Sequence, residues 1–376
     1  MKTVGIISEY NPFHKGHAYH IEQAKKQAGA DFAVIIMNGD FVQRGEPAII
    51  DKYSRTRQAL SGGADLVFEL PVRFGISSAG DFAYGGILAL QSLGFVNAVC
   101  FGSEAGNLAP IQNAAHILSD EPEIFRSKLN LFLHRGMSYP SARALALSEI
   151  SHLSPELLSS PNNILAIEYC IALKQLGSAI TPYTITRIGQ DYHGKNDADD
   201  FFSATTIREQ IKETETPHLV LEDFSQAIGY ALLVNPDLAV FKDISPDLAE
   251  RFSSFLSQYH SVTSFIQQCS NSSLTYGRIR RGILQCLLGI KKTEKSMPYL
   301  RLLGMKKEAS SLLANRENTS CQVLTRLAVD SRKLSPQASH LLKQDISASD
   351  LYRQVWCSKY QTLLPNEYQH SPIILA

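Results

Sequence analysis

The chain has 376 residues, 44% of them hydrophobic and 19% charged, and its 36 Lys/Arg are matched by 36 Asp/Glu. This is the composition of an ordinary globular protein with a substantial core and room for two domains; zero formal net charge gives no global pull towards nucleic acid, so any such surface has to be local. No run of about 18 apolar residues could span a membrane, the stretch after Met1-Lys2-Thr3 is broken at Glu9 and too short for a signal-peptide core, and six scattered cysteines without a Cys-x-x-Cys fit reduced thiols in a cytoplasmic protein.

Val4-Gly5-Ile6-Ile7 reads as a strand, Tyr10-Asn11-Pro12-Phe13-His14-Lys15-Gly16-His17 as the loop after it, and Ala18 to Gln27 as a helix. The first turn of a helix offers backbone N–H groups without intrahelical partners and the positive end of the macrodipole, so this loop is a place for phosphate. His14 and His17 lie three apart on one face, and Gly16 between them removes a side chain where a nucleotide must approach. Imidazoles so placed can donate to oxygens that gain charge as a phosphorus–oxygen bond breaks, worth about 3–4 kcal/mol per donor. Two other readings stand: half of a metal site, although no Cys or third His is nearby, and polar residues closing a helix end.

Phe32 to Met37 is a continuous apolar run, the pattern of a strand buried on both faces of a parallel sheet. It ends in the turn Asn38-Gly39-Asp40 and the polar loop Phe41 to Pro47, which faces the same crevice as the histidines if ligands sit at the carboxyl ends of the strands. Arg44 on that loop is a phosphate candidate. Lys52 to Leu60 carries Lys52, Arg55 and Arg57; Leu66 to Pro71 is a strand, Phe82 to Leu93 a helix, and Val96 to Phe101 a strand ending at Gly102-Ser103-Glu104. The alternation predicts an α/β fold with a doubly wound parallel sheet. Gly102 allows close approach to a base or ribose or makes a tight turn; Asn162 touches a ligand or caps the helix Ile164 to Leu176; Arg187, after the strand Tyr183 to Thr186, meets a phosphate or solvent.

Phe202-Ser203-Ala204-Thr205-Thr206-Ile207-Arg208-Glu209 opens on hydroxyls and turns into a helix. It is either a well-capped helix or a second phosphate-holding N-terminus with Thr205 and Arg208 as donors. The intervening Asp197-Ala198-Asp199-Asp200 reads as a solvated loop. From about Thr214 the texture becomes helical, and residues 270–335 hold thirteen Lys/Arg against four acids, a local balance of +9. Arg278, Arg280, Arg281, Lys291 and Lys292 lead that run, which is a solvated helix face or a grip on RNA phosphates. Tyr276 and Trp356 are candidates for stacking on an unpaired base or for core packing.

His14-Lys15-Gly16-His17 after a first strand resembles the His-x-Gly-His signature of the nucleotidyltransferase superfamily, and Ser203-Ala204-Thr205-Thr206-Ile207-Arg208 its Ser-Ser-Thr-x-Ile-Arg motif, with Ala204 for the second Ser. The longer string Ile7-Ser8-Glu9-Tyr10-Asn11-Pro12-Phe13-His14-Lys15-Gly16-His17 resembles the tRNA(Met) cytidine acetate ligase family, as do the blocks Gly39 to Ala48, Asp51-Lys52-Tyr53, Gly63 to Val67, Phe101 to Glu104 and Pro161 to Leu165. That resemblance implies an enzyme that activates acetate with ATP, accompanied by Mg2+, and places the acetyl group on N4 of the wobble cytidine of elongator tRNA(Met). It implies ATP along Ile7 to His20, with Ser8, Glu9, Tyr10, Asn11, Pro12, Phe13, Gly16 and His20 as contacts, and further contacts at Gly102, Asn162, Arg187, Ile188, Ser203 and Thr205. His14, His17, Lys15 and Arg208 would be catalytic, and no residue is assigned as a metal ligand. The expected organisation is a nucleotidyltransferase-like catalytic domain over 1–213 and a mainly helical, locally basic tRNA-binding domain over 214–376. An adenylyltransferase acting on a small metabolite and a non-catalytic nucleotide-sensing RNA-binding protein are the alternatives. Asn38 and Asp40 depart from the Ser and Asn expected of the family at those places.

Overall fold

The computed structural model describes residues 1–151, 153–186, 203–292, 295–314 and 319–376. Five parallel strands come from the first half of the chain: β1 (Thr3–Ser8), β2 (Phe32–Asn38), β3 (Leu66–Leu70), β4 (Ala98–Ser103) and β5 (Thr181–Thr186). The apolar run of β2 is buried along most of its length, as a strand covered on both faces must be. Helices α1 (Lys15–Ala28), α2 (Lys52–Ser61), α3 (Ala79–Ser92), α4 (Pro161–Gln175) and α5 (Ala204–Lys212) lie between or after these strands. The spatial order is β3-β2-β1-β4-β5. β1 pairs on one side with β2, Ile6 opposite Ile35, and on the other with β4, Val4 opposite Ala98. The chain therefore reverses its direction of travel across the sheet at β1, which makes the carboxyl ends of β1 and β4 the switch point where open α/β sheets hold ligands in a crevice.

Close packing fixes the height of β1. A side-chain carbon on Gly86 of α3 would lie 2.6 Å from Ile7 Cδ1, and one on Gly5 would lie 2.5 Å from Leu90 Cδ2. Glycine at both places lets helix and strand touch backbone to side chain in each direction.

The second half of the chain contributes helices, as expected, among them α6 (Tyr276–Leu287) and the long α7 (Pro336–Tyr360). It also returns to the sheet, which the sequence pattern did not show. β6 (Tyr299–Lys306) pairs antiparallel with β3, and β7 (Gln322–Leu324) and β8 (Ile373–Leu375) pair parallel with β6. Arg301 in the middle of β6 hid it, because a charge inside an apolar run argues against a buried strand. The expected boundary at 213/214 is therefore not where the sheet ends. The helices gather a core of their own that also takes in the first half: Phe41, Val72 and Ile76 pack among Phe224, Ile228, Phe241, Ile279, Ile283 and Tyr352.

Arg301 is tolerated because it belongs to a buried ion network. Lys52 Nζ lies 2.7 Å from Glu69, 2.8 Å from Glu367 and 3.5 Å from Asp40, and donates to Ser349 Oγ at 2.7 Å. Arg301 pairs with Glu367 and with Glu69, and donates to Tyr53 Oη at 2.7 Å. Burial works against the charge on Lys52, but Glu367, Glu69 and Asp40 outweigh it and raise its pKa. Burial likewise opposes ionisation of Glu367, yet Lys52 and Arg301 hold its carboxyl down at about 2. Removing one partner leaves uncompensated buried charge, so Lys52→Met should cost about 3–5 kcal/mol of stability in urea unfolding at pH 7. The folded pKa of Glu367 lies below the unfolded value, so its contribution is complete above about 4.3 and is lost as pH falls through about 2. A Glu367→Gln variant should lose that acid dependence in unfolding curves between pH 2 and 5.

Candidate active site

α1 begins at the histidine motif. His14 is its N-cap, with Nδ1 accepting the Gly16 N–H at 3.1 Å, and His17 Nδ1 accepts the His14 N–H at 3.3 Å. With Nδ1 occupied as acceptor in both, each neutral ring carries its proton on Nε2, the tautomer that donates. The two rings stack at 3.8 Å and 26°. Tyr10 at 4.7 Å and Phe13 at 5.6 Å brace the His17 ring. Lys15 is exposed, and Gly16 and His20 lie partly exposed on the same first turns.

The loop leading into this motif is held from several sides. Ile7 and Ser8 end β1, and Tyr10 follows with a left-handed φ of 46° and a buried side chain. Asn11, before Pro12, accepts the Ile49 N–H at 2.7 Å on its side chain. Arg55 of α2 is fully buried and donates to the carbonyls of Glu9 at 2.8 Å, Asn38 at 3.0 Å and Ile50 at 3.1 Å, and to that of Gly39. The Glu9 carboxylate accepts the Gln43 N–H at 2.8 Å, joining β1 to the two-stranded hairpin Phe41–Pro47.

The second phosphate-like segment meets the first. Ser203 caps α5, its Oγ accepting the Thr206 N–H at 3.1 Å. Arg208 donates to the Asn11 carbonyl at 2.8 Å and to Thr205 Oγ1 at 3.0 Å. Residues 197 positions apart thus share one hydrogen bond at the crevice mouth. Burial lowers the pKa of Arg208, and Arg44 nearby adds to this against the pull of Glu46 and Glu9.

On the other side of the switch point, Gly102 is the penultimate residue of β4, which ends at Ser103, and Glu104 follows. Glu104 Oε1 accepts the Asn162 backbone and side-chain N–H groups at 3.2 and 2.6 Å, and Oε2 accepts the Asn163 N–H at 2.8 Å. Asn162 therefore stands beside the end of β4, but it does not cap the helix as one reading held. Ser160 is the N-cap position, Pro161 starts α4, and Glu104 supplies the acceptor. Asn38 and Asp40, the departure noted in the sequence, hold structure: Asn38 Nδ2 donates to the Gly75 carbonyl at 3.0 Å, and buried Asp40 accepts the Lys52 N–H at 3.2 Å. Arg187, Ile188 and the acidic run Asp197 to Asp200 lie outside the described residues. Among the described residues no group of three or more His, Cys, Asp or Glu could hold a metal ion.

The basic stretch is less free than its charge count implied. Arg280 pairs with Glu46, Arg281 with Asp243 at 3.7 Å, Lys295 with Asp81 at 2.5 Å, Arg301 with Glu367, and Lys306 with Asp65 at 3.6 Å. All five partners lie outside 270–335, so five of these cations are matched by acids from elsewhere in the chain. Arg278 donates to Ser245 Oγ at 3.0 Å. Lys291 and Lys292 are exposed, although Lys292 Nζ also donates to the Ala239 carbonyl at 3.1 Å. Tyr276 is exposed, whereas Trp356 packs on Tyr360 at 4.9 Å and on Tyr352.

A family model, HIGH Nucleotidyl Transferase, matches residues 1–220 and 212–366. A Clostridium novyi protein named tRNA(Met) cytidine acetate ligase is 36% identical over 409 aligned residues covering all of both chains, and an Acetivibrio thermocellus protein of the same name is 35% identical over 96% of each. This chain belongs to the tRNA(Met) cytidine acetate ligase family. The crystal structure of Thermotoga maritima TmcAL bound with alpha-thio ATP matches it over the full length of both chains, with a TM-score of 0.88 and 29% identity. The apo form of the same protein matches with a TM-score of 0.90.

Arg55, Gln43 and Glu104 were not singled out from the sequence as site residues. A signal existed for Arg55: Lys52, Arg55, Thr56 and Ala59 share the buried face of α2, and cations on that face mark something to be held inside. Lysine at position 208 keeps the charge but not the fork that spans Asn11 and Thr205. Arg208→Lys should weaken ATP binding about tenfold, near 1.4 kcal/mol, measured by calorimetry.

Proposed function

We propose that this protein is an ATP-dependent acetate ligase that acetylates N4 of the wobble cytidine of elongator tRNA(Met). The observation that carries this reading is the Arg208 to Asn11 hydrogen bond at 2.8 Å, which joins both phosphate-type motifs in one crevice, in a chain whose named relatives match it end to end. In the first step an acetate oxygen attacks the α-phosphorus in line, the bond to the bridging oxygen breaks, and pyrophosphate leaves with that electron pair. Acetyl-adenylate is required because free carboxylate is a poor acyl donor. Nε2–H groups of His14 and His17 stabilise the charge that grows on the phosphoryl oxygens. Lys15, Arg44 and Arg208 neutralise the β- and γ-phosphates, and Mg2+ enters with ATP as part of the substrate. In the second step N4 attacks the acyl carbon and AMP departs.

RNA reaches this crevice over the helical segment of the expected 214–376 domain. The hairpin carries the connection, since Gln43 touches Glu9, while Gly45 abuts the α6 backbone and Glu46 pairs with Arg280. Phosphate contacts supply affinity but little sequence information, and the exposed Lys291 and Lys292 fit that role better than the internally paired Arg280 and Arg281. The wobble base must be unstacked, which an anticodon loop permits at modest cost.

Label from pyrophosphate should exchange into ATP with acetate and without RNA; exchange supported instead by a phosphorylated metabolite would favour simple adenylyl transfer, and none with any carboxylate a nucleotide sensor. His17→Ala should abolish the exchange and leave tRNA affinity within about twofold, whereas joint loss would mark a structural role. Replacing both Lys291 and Lys292 by Glu should weaken tRNA binding and flatten its log–log salt slope by about 2, one per phosphate contact; an unchanged slope would rule that surface out.

A further inference from the structure

Glu9 puts a carboxylate at the end of β1, in the crevice where a polyanionic substrate binds. Cations surround it: Arg44 from the hairpin, Arg208 from α5 and Arg55 from α2 all act on its charge, as does Gln43 through its N–H. From the opposite wall, Tyr169 of α4 is within electrostatic reach. The residue is half-buried, and one carboxylate oxygen accepts the Gln43 N–H at 2.8 Å, which leaves the other oxygen to meet a proton donor. An acid here works against triphosphate binding, and the adenylation step gives it nothing to do, because attack of acetate on phosphorus moves no proton.

Acetyl transfer does move one. The N4 amine must shed a hydrogen as it becomes an amide, and it is too weak a nucleophile to react well without a base. His14 and His17 are poor candidates, because each neutral ring spends its Nδ1 lone pair on a backbone N–H and carries its proton on Nε2. We propose that Glu9 is the general base of the acetyl-transfer step, its carboxylate taking the N4 proton at the crevice mouth. As the N4–acyl carbon bond forms, the acyl carbon–oxygen bond of the mixed anhydride breaks, AMP leaves with that electron pair, and the proton passes to Glu9. Burial pushes the Glu9 carboxyl above its ordinary range, against the opposing pull of Arg44, the Gln43 N–H, Arg208 and Arg55. A higher pKa makes the carboxylate a stronger base nearer neutral pH.

This assignment rests on the acetate ligase reading, and one set of measurements separates them. Acetate-dependent pyrophosphate exchange and single-turnover transfer from acetyl-adenylate to tRNA(Met) are compared in the full-length wild type, Glu9→Gln and Glu9→Asp. The ratio of transfer rate to exchange rate should fall about 10²-fold in Glu9→Gln and recover in part in Glu9→Asp. Wild-type transfer should rise as pH climbs through the carboxyl pKa and then level, and Glu9→Gln should lose that limb. Equal losses of exchange and transfer, or transfer at the wild-type rate in Glu9→Gln, would overturn the role of Glu9 alone. Absence of acetate-dependent exchange in the wild type would remove the ligase reading and the base with it.

Discussion

The crevice depends on one buried cation. Where β1 and β2 stop pairing, their last carbonyls lose ladder partners, and an unpaired buried carbonyl costs free energy comparable to a lost hydrogen bond. Arg55 answers those of Glu9, Asn38 and Gly39 where the two strands end, and also that of Ile50 just before its own helix. A guanidinium suits this task because its five donors are fixed in a plane and it stays charged when buried. Burial lowers its pKa, and Asp40 beside it offsets part of that penalty. The loop that carries Glu9, Asn11 and His14 is therefore anchored at its root by α2, and Arg208 of α5 is hydrogen-bonded to that same loop.

The first half of the fold was legible because its signals are local. A doubly covered strand declares itself as an uninterrupted apolar run, as Phe32 to Met37 does, and a strand followed by a Gly-containing turn into an amphipathic helix places the phosphate end without any long-range information. The α/β alternation then led to the sheet. The second half was less legible because its order is set by pairing at a distance. Arg301 and Glu367 contradict their local surroundings, and each makes sense only when the other, with Lys52 and Glu69, is brought beside it. Glu104 escaped notice for a similar reason, since its hydrogen bonds cross to residues 58 and 59 positions away.

Charge counting along the chain failed for a physical reason too. A window of sequence records its own acids and bases, but ion pairs form between elements. Glu46 and Asp81 of the first half meet Arg280 and Lys295, so those charges fasten the second half to the first, while Asp243 holds Arg281 within the second. The histidine motif survived the passage from sequence to structure because its partners, Gly16 N–H and the two rings themselves, are all within one helical turn.

The shared core beneath the hairpin has a mechanical meaning. Phe41, Val72 and Ile76 are packed by the same residues that hold the helices together. The hairpin beside the crevice and helix α6 share this core, so the spacing between them is built into the folded chain. Whatever nucleic acid spans the two must conform to that spacing. In the proposed acetyl transfer the deformation that brings a base to the crevice would then fall on the RNA loop, and stiff or poorly matched loops would be turned away by the cost of bending themselves rather than by contacts made to their sequence.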